Sequence, residues 1–208
     1  MHDRLIKKGK IMNKARMESL SDGLFAVVIT IMVLQLNVPH ATGVEALAPL
    51  VPIFLSYLLS FIYGAVFWVK HHHLMVITKR ISNGVLWANL NYLFWLSLIP
   101  FFTAWVDENH LATVPVAAYG GSLFMVVFSY RLLQVVIMRV PRAGVRVKRV
   151  LKRGLREKWS MIVLLLGVLL SHVHPLIAMS IYIAVAIAWM TTKNSMRRAI
   201  EGQGPDMD

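Results

Sequence analysis

Six apolar runs divide the chain, and they constrain its fold more than any other feature of the sequence. They cover about residues 20–38, 46–69, 85–106, 111–138, 159–173 and 175–190. A membrane-spanning helix needs roughly 20 apolar residues at a rise of about 1.5 Å each. The first four runs reach about that length, and the last two reach it only with their polar flanks. The runs therefore predict an all-α integral membrane protein with six transmembrane helices.

The positive charges decide how these helices are oriented. All 22 lysines and arginines lie in the two termini, in the links at 70–84 and 139–158, or near the end of the fourth run at Arg131. Because cations in short loops mark the cytoplasmic side, both termini are predicted to be cytoplasmic. The predicted organisation is a basic N-terminal segment (1–19), a six-helix domain (20–192) that includes the basic link 139–158, and a C-terminal tail (193–208).

Composition narrows the class of function. Only 15% of the residues are charged, although the net charge is +12, and a soluble domain would carry about a quarter. Binding of nucleic acid needs a folded polar module to present the cations, and no stretch is long and polar enough to form one. The link 139–158 is instead predicted to attract anionic lipid headgroups. Since cysteine, a phosphate loop and the usual catalytic motifs are absent from the sequence, neither an enzyme nor a cofactor is predicted.

Polar side chains gather at the cytoplasmic ends of the first three predicted helices. They are Arg16, Ser21, Asp22, Trp68, His71, His72 and Asn89. A carboxylate, an imidazole and an amide at one level can satisfy each other where water is scarce, which predicts a structural polar layer. The alternative for Ser21 or Asp22 is a helix N-cap. Consecutive histidines on a helix point about 100° apart and cannot face one ion together, so no metal site is predicted.

The motif Tyr119-Gly120-Gly121 lies near the start of the fourth run. It shares a tyrosine and glycines with the T-V-G-Y-G carbonyl filter of common potassium channels. It lacks the threonine–valine start and a re-entrant loop. Small residues let two helices approach closely, and this packing role is the one predicted here.

Five short motifs in the first half of the chain carry a resemblance to a known family. The segment Arg16 to Asp22 is similar to the R-x-x-x-F-S-D signature of the transmembrane protein 175 family, with Leu20 in place of the usual phenylalanine. The other matches follow in the family's order: Ser60-Phe61, Trp68-x-x-His71-His72, Trp87-x-Asn89 and Leu98-Ile99-Pro100-Phe101-Phe102-Thr103. Together they cover roughly residues 16–105. The family comprises the endolysosomal potassium channels of animals and their bacterial relatives.

This resemblance implies a potassium-permeable cation channel whose pore is lined by the first helix of each unit. Animal members carry two six-helix repeats per chain, so a chain with one repeat is implied to form a homotetramer. The family filter consists of apolar side chains, and bacterial members prefer potassium over sodium modestly. The expected location is the plasma membrane of a bacterium, its inner membrane.

The first helix offers a stripe that fits this role. At about 100° per residue the stripe consists of Val27, Thr30, Ile31, Leu34 and Val38, and Asp22 lies about 140° from Val27, pointing into its own subunit. Periodicity alone fits ordinary helix packing as well as a pore. The resemblance implies that Val27 and Leu34 occupy the constriction positions, and that Thr30 stands where some members carry threonine.

Two other functions compete with a channel. In a secondary transporter or proton-coupled carrier, the Asp22–histidine layer would bind a proton or a substrate. In a non-conducting membrane subunit, the basic link would bind a cytoplasmic partner. No internal inverted repeat and no helix broken at mid-membrane depth is evident in the sequence, which disfavours the transporter.

Overall fold

The computed structural model describes residues 14–36, 38–39, 42–78, 80–140 and 155–191, and within these ranges the chain is helical with no β-strand. A short 3₁₀ turn covers Val44–Leu47. The α-helices are α1 (Lys14–Val33), α2 (Leu50–Ile77), α3 (Asn83–Ser97), α4 (Ile99–Glu108), α5 (Thr113–Arg139), α6 (Leu155–Leu170) and α7 (Pro175–Thr191).

Helix α5 is the centre of the bundle and packs against α3, α4, α6 and α7. Helix α2 packs against α1, α4 and α7, and α1 also contacts α3 and α4. The largest side chains of the core are tyrosines whose hydroxyls have partners. Tyr63 donates to the carbonyl of Tyr182 at 2.6 Å, and Tyr92 donates to the carbonyl of Phe67 at 3.2 Å. Buried hydroxyls are tolerated because each is hydrogen-bonded.

Three helical segments are long and apolar enough to cross a membrane. They are Leu50–Ile77, Asn83–Glu108 and Thr113–Arg139. The segment Pro175–Met190 is apolar but shorter. Helix α1 carries Arg16, Glu18 and Asp22 within its first half, and α6 carries three charges in its first turn. The chain therefore has the architecture of a membrane protein, and the count of six spans stays a prediction.

Some helices extend beyond the apolar runs into turns that contain charged residues. These turns remain helical because they also contain buried apolar side chains. Helix α1 begins at Lys14 rather than near residue 20, because Met17 is buried and Lys14 pairs with Glu18 one turn on, at 3.5 Å. Helix α2 continues past Lys70 to Ile77, since Leu74 and Met75 are buried in those last turns. Helix α6 begins at Leu155, inside the predicted link. The rest of that link, 141–154, and residues 1–13 and 192–208 lie outside the described residues.

The third run, predicted as one helix over 85–106, is two helices that meet at Leu98. Pro100 stands in the first turn of α4. Proline has no N–H and its ring clashes with the preceding turn, so a helix restarts at that point more readily than it continues. The third run is therefore interrupted near its middle, whereas no broken helix was expected from the sequence.

Gly120 and Gly167 enclose the ring of Tyr182 between α5, α6 and α7. A Cβ on Gly120 would lie 1.9 Å from the Tyr182 hydroxyl, and one on Gly167 would lie 2.6 Å from Cε1 of the same ring. A Cβ on Gly121 would meet nothing within 4 Å. Within the Tyr119-Gly120-Gly121 motif, Gly120 is thus the residue whose small size the packing requires.

Candidate functional site

Helix α1 has one face packed into its own chain. Its buried residues are three or four apart, the spacing of one helix face, and they are Met17, Ser21, Phe25, Val28 and Met32. This face contacts α2, α3 and α4. The packing fixes which way every other side chain of α1 points.

The opposite face of α1, here called the uncovered face, is largely exposed within the part of the chain that the structure describes. Val27 is 54% exposed and Ile31 is 44% exposed, and Thr30 lies exposed between them. Gly23, one turn earlier, has open space beside it. The hydroxyl of Thr30 donates to carbonyls of its own helix, at 3.0 Å to Ala26 and 2.9 Å to Val27. Its oxygen lone pairs remain available on the exposed face.

The predicted stripe, which reaches from Val27 to Val38, does not lie on one continuous helix. Helix α1 ends at Val33, and residues 34–36 form a closing turn with bonds from Leu34, Gln35 and Leu36 to carbonyls three residues back. Val38 precedes Pro39, and a residue before proline is disfavoured in the helical region. Leu34 and Val38 are exposed but lie beyond the end of α1, so their directions do not follow from its 100° periodicity. Their pore-lining role stays a prediction.

A buried polar layer lies behind the uncovered face at the start of α1. Ser21 donates to the carbonyl of Met17 at 2.8 Å and accepts from Nδ2 of Asn89 at 3.0 Å. The Oδ1 of Asn89 lies 2.7 Å from Nε2 of His71. Because an amide oxygen can only accept a hydrogen bond, the Nε2–H of His71 is the donor. All three side chains are at most 1% exposed. They join α1, α2 and α3 through a continuous hydrogen-bonded chain.

Aromatic rings hold the histidine of this layer in place. The ring of His71 stacks on Tyr92 with centroids 5.7 Å apart and an angle of 6° between planes. Phe25 packs on it at 5.7 Å. Tyr92 also lies next to Tyr130 of α5, at 5.7 Å. The layer is therefore tied to the central helix of the bundle by ring packing.

The charged and exposed members of the predicted layer form a second, outer contact. Asp22 is exposed and accepts a hydrogen bond from Nε1 of Trp68 at 3.0 Å. His72 is exposed and stacks on the Trp68 ring with centroids 5.8 Å apart. Arg16 is exposed, and the ion pair found within the described residues joins Lys14 to Glu18 instead. The structure thus brings Ser21 rather than Asp22 to Asn89, and Asp22 does not point into the subunit core.

Sequence reasoning missed a hydroxyl cluster at the other end of α2. Ser60 lies 2.8 Å from Oγ1 of Thr103 and 3.0 Å from the hydroxyl of Tyr119. Thr103 donates to the carbonyl of Ile99 at 2.8 Å, so its oxygen accepts from Ser60. The cluster joins α2, α4 and α5. The signal was present, because all three residues stood in motifs already noted, but nothing in the sequence paired them.

A further missed contact fixes the outer end of α1. Nε2 of Gln35 donates to the carbonyl of Pro100 at 2.7 Å. Pro100 lies just after the break between α3 and α4. The turn that follows α1 is thereby attached to the first turn of α4. A lone glutamine in an apolar run was the available sequence signal.

Comparison with known proteins supports one family. Residues 16–100 match the family described as endosomal/lysosomal potassium channel TMEM175. A potassium channel from Chryseobacterium sp. (strain P1-3) is 40% identical over 190 residues, which is 91% of this chain and 99% of that protein. A protein named endosomal/lysosomal proton channel TMEM175 from Gallus gallus is 31% identical over 84 residues, 35% of this chain and 17% of that protein.

The fold has a solved counterpart. The crystal structure of a lysosomal potassium-selective channel TMEM175 homolog from Chamaesiphon minutus superposes with a TM-score of 0.73 at 24% sequence identity. The match covers 85% of this chain and 96% of that one. Because the Chryseobacterium potassium channel is 40% identical over 99% of its length and residues 16–100 match the family model, the chain belongs to the TMEM175 family.

Proposed function

We propose that this protein is a potassium-permeable cation channel in which the uncovered face of α1 lines the pore of a homotetramer. The observation that carries the proposal is the contrast between the two faces of α1. One face is buried against neighbouring helices of the chain, and the other, with Val27, Thr30 and Ile31, is exposed within the described residues. Bacterial relatives are named potassium channels, and copies of such a face arranged around an axis would enclose a path.

Val27 is proposed to form the narrowest apolar ring, with Leu34 a second ring further out. Thr30 and Ile31 lie between them, and Val38 stands at the outer mouth. An apolar ring offers a hydrated cation no replacement ligands and can close by dewetting. The Thr30 oxygen would be the polar exception between the rings. Because valine is a small side chain for a closing ring, we expect conduction with modest selectivity for potassium over sodium.

The proposed arrangement in the membrane has six spans with both termini in the cytoplasm. Helices α3 and α4 together form one span, and α1, α2, α5, α6 and α7 form the others. The one-sided placement of the cations supports this orientation. The bacterial origin of the relatives that match over more of this chain supports the inner membrane of a bacterium.

The polar layer is proposed to hold α1 at its cytoplasmic end rather than to carry a substrate. Ser21, Asn89 and His71 satisfy each other and lie under Phe25 and Tyr92, which leaves no open face to a ligand. Asp22, Trp68 and His72 would support the same end from outside. The names of the relatives also favour a channel over a proton-coupled carrier.

Planar-bilayer recording of the purified full chain tests the proposal. Single-channel steps and a reversal potential in asymmetric KCl and NaCl that favours potassium are expected. Val27→Asn should wet the ring, raise conductance and weaken the potassium preference, and Val27→Phe should reduce current. Val114→Asn is the matched control, because Val114 is 59% exposed but lies at the start of α5. A lack of effect from both Val27 variants would exclude α1 as the pore helix.

The number of chains is a separate measurement. Native mass spectrometry in mild detergent is expected to show four copies, since a single α1 cannot enclose an aqueous path. A monomer or dimer that still conducts would contradict the proposed assembly.

A further inference from the structure

A groove of about 270 Å³ runs between α6 and α7 on the outside of the bundle. Trp159, Ser160 and Val163 of α6 form one wall, and Ala184, Ala188 and Trp189 of α7 form the other. The two alanines stand one turn apart, and their small size opens the space between the helices. Trp159, Ala184 and Ala188 are exposed. The volume exceeds the cavities of about 150 Å³ that admit a benzene ring.

Arg156 closes one end of this groove and is held in a defined position. Its guanidinium lies 5.2 Å from the centre of the Trp189 ring and donates to the carbonyl of Ala188. Trp189 is fixed in turn, because its Nε1 donates to Ser160 at 2.6 Å. A guanidinium has five N–H donors, and one of them is used in this contact. The others can serve a ligand that lies along the groove.

The groove combines an apolar body with a cationic end, and this end is predicted to lie at the cytoplasmic surface. It is formed where α6 begins and α7 ends. Lys158 is exposed in the same turn as Arg156. The sequence just before α6 carries Lys152 and Arg153, and the sequence just after α7 carries Lys193. An exposed tryptophan such as Trp159, which is 65% exposed, is typical of the membrane–water interface.

We propose that this groove binds one anionic phospholipid, with an acyl chain against Ala184 and Val163 and the phosphate at Arg156. Charge complementarity selects the headgroup, because a planar guanidinium matches two phosphate oxygens. The apolar walls select a hydrocarbon chain rather than a free phosphate or a nucleotide. This assigns a defined site, distinct from a diffuse attraction of headgroups to the link 139–158. It depends on the chain lying in a membrane and not on its conducting ions.

Native mass spectrometry of the purified full chain tests the site by titration with phosphatidylglycerol and phosphatidylcholine of matched acyl chains. The wild-type protein is expected to bind phosphatidylglycerol more tightly. Arg156→Gln should weaken its binding by about tenfold and remove the preference over phosphatidylcholine. Lys158→Gln is the matched control, since Lys158 carries the same charge in the same turn but does not line the groove; its effect should be at most about twofold.

A second variant tests the acyl chain without changing charge. Ala184→Leu fills the groove at an exposed position and should weaken both lipids equally while the melting temperature stays unchanged. Equal losses from Arg156→Gln and Lys158→Gln would overturn the proposal in favour of diffuse charge. Unchanged binding by Ala184→Leu would also overturn it. The proposal would also be overturned if a groove variant changed the number of chains per particle, because a second copy would then be covering the groove. Lipid binding is measured without any current, so its failure is distinguishable from failure of the channel proposal.

Discussion

Replacing Gly120 by alanine tests whether the Tyr182 ring is as confined as the structure indicates. The added Cβ would lie 1.9 Å from the hydroxyl, 2.3 Å from Cζ and 2.9 Å from Cε1 of Tyr182, whereas carbon atoms in good contact are about 3.5–4.0 Å apart. The ring would have to retreat by more than about 1 Å from this spacing. Gly167 also lies close to this ring, and the ring is fully buried.

The cost follows from these contacts. Overpacking of a filled core costs about 1–3 kcal/mol. Displacing the ring also breaks the hydrogen bond that the Tyr182 hydroxyl donates to the carbonyl of Val116, found at 3.4 Å and worth about 0.5–1.5 kcal/mol. The higher helix propensity of alanine offsets about 0.5–1 kcal/mol of this loss in stability. The net loss of stability is therefore between about 0.5 and 4 kcal/mol.

Gly121→Ala is the matched control, because a Cβ there meets nothing within 4 Å. This variant should gain only the higher helix propensity of alanine. Its stability should therefore be equal to that of the wild-type protein or slightly higher. The assay is thermal unfolding of the purified protein in detergent, followed by tryptophan fluorescence. Gly120→Ala should lower the melting temperature by about 1–16 °C, at about 2–4 °C per kcal/mol for a chain of this length. In the double variant with Tyr182→Leu most of this penalty should disappear, since the two positions are in contact. A Gly120→Ala protein as stable as Gly121→Ala would refute the reasoning.

Three further outcomes are expected. Asn89→Leu leaves the buried Nε2 of His71 without its partner, at about 1–3 kcal/mol, while Ser21 keeps its bond to the Met17 carbonyl. It should lower the melting temperature more than Asn91→Leu, because the side chain of Asn91 is only partly buried; equal shifts would show that the layer is not structural. Trp68→Phe keeps a ring beside His72 and loses only an exposed hydrogen bond, so a stability change above about 1 kcal/mol would contradict its outer position. A cysteine at Asn109 should react with a membrane-impermeant maleimide in intact cells and one at Ser195 should not, and the reverse pattern would invert the predicted topology.

The sequence predicted the helical class and the existence of a polar layer, but not which residue of a neighbouring pair enters it. Ser21 and Asp22 are adjacent, and a turn of about 100° separates a buried side chain from an exposed one. The information was available in the chain. Met17 and Phe25 each lie four residues from Ser21, so the apolar stripe already identified Ser21 as the inward residue.

Helix ends were harder to predict because hydropathy measures what a segment contains and not what it packs against. The apolar run of α2 stops at Lys70, yet the helix continues where Leu74 and Met75 reach the core. The break at Leu98 had a local signal in Pro100. Ser60, Thr103 and Tyr119 each stood in a motif, but no local signal paired them, because the packing of three helices brings them together.

The buried and exposed faces of α1 are subject to different constraints during evolution. Side chains on the Met17–Met32 face are held to their present size by neighbours in the same chain. Those at Val27, Thr30 and Ile31 are exposed, so substitutions there are expected to disturb the folding of the subunit less than substitutions on the buried face do. Under the proposed pore, permeation properties could therefore diversify between relatives by mutations that are nearly neutral for the subunit, while the opposite side of the same helix changes slowly.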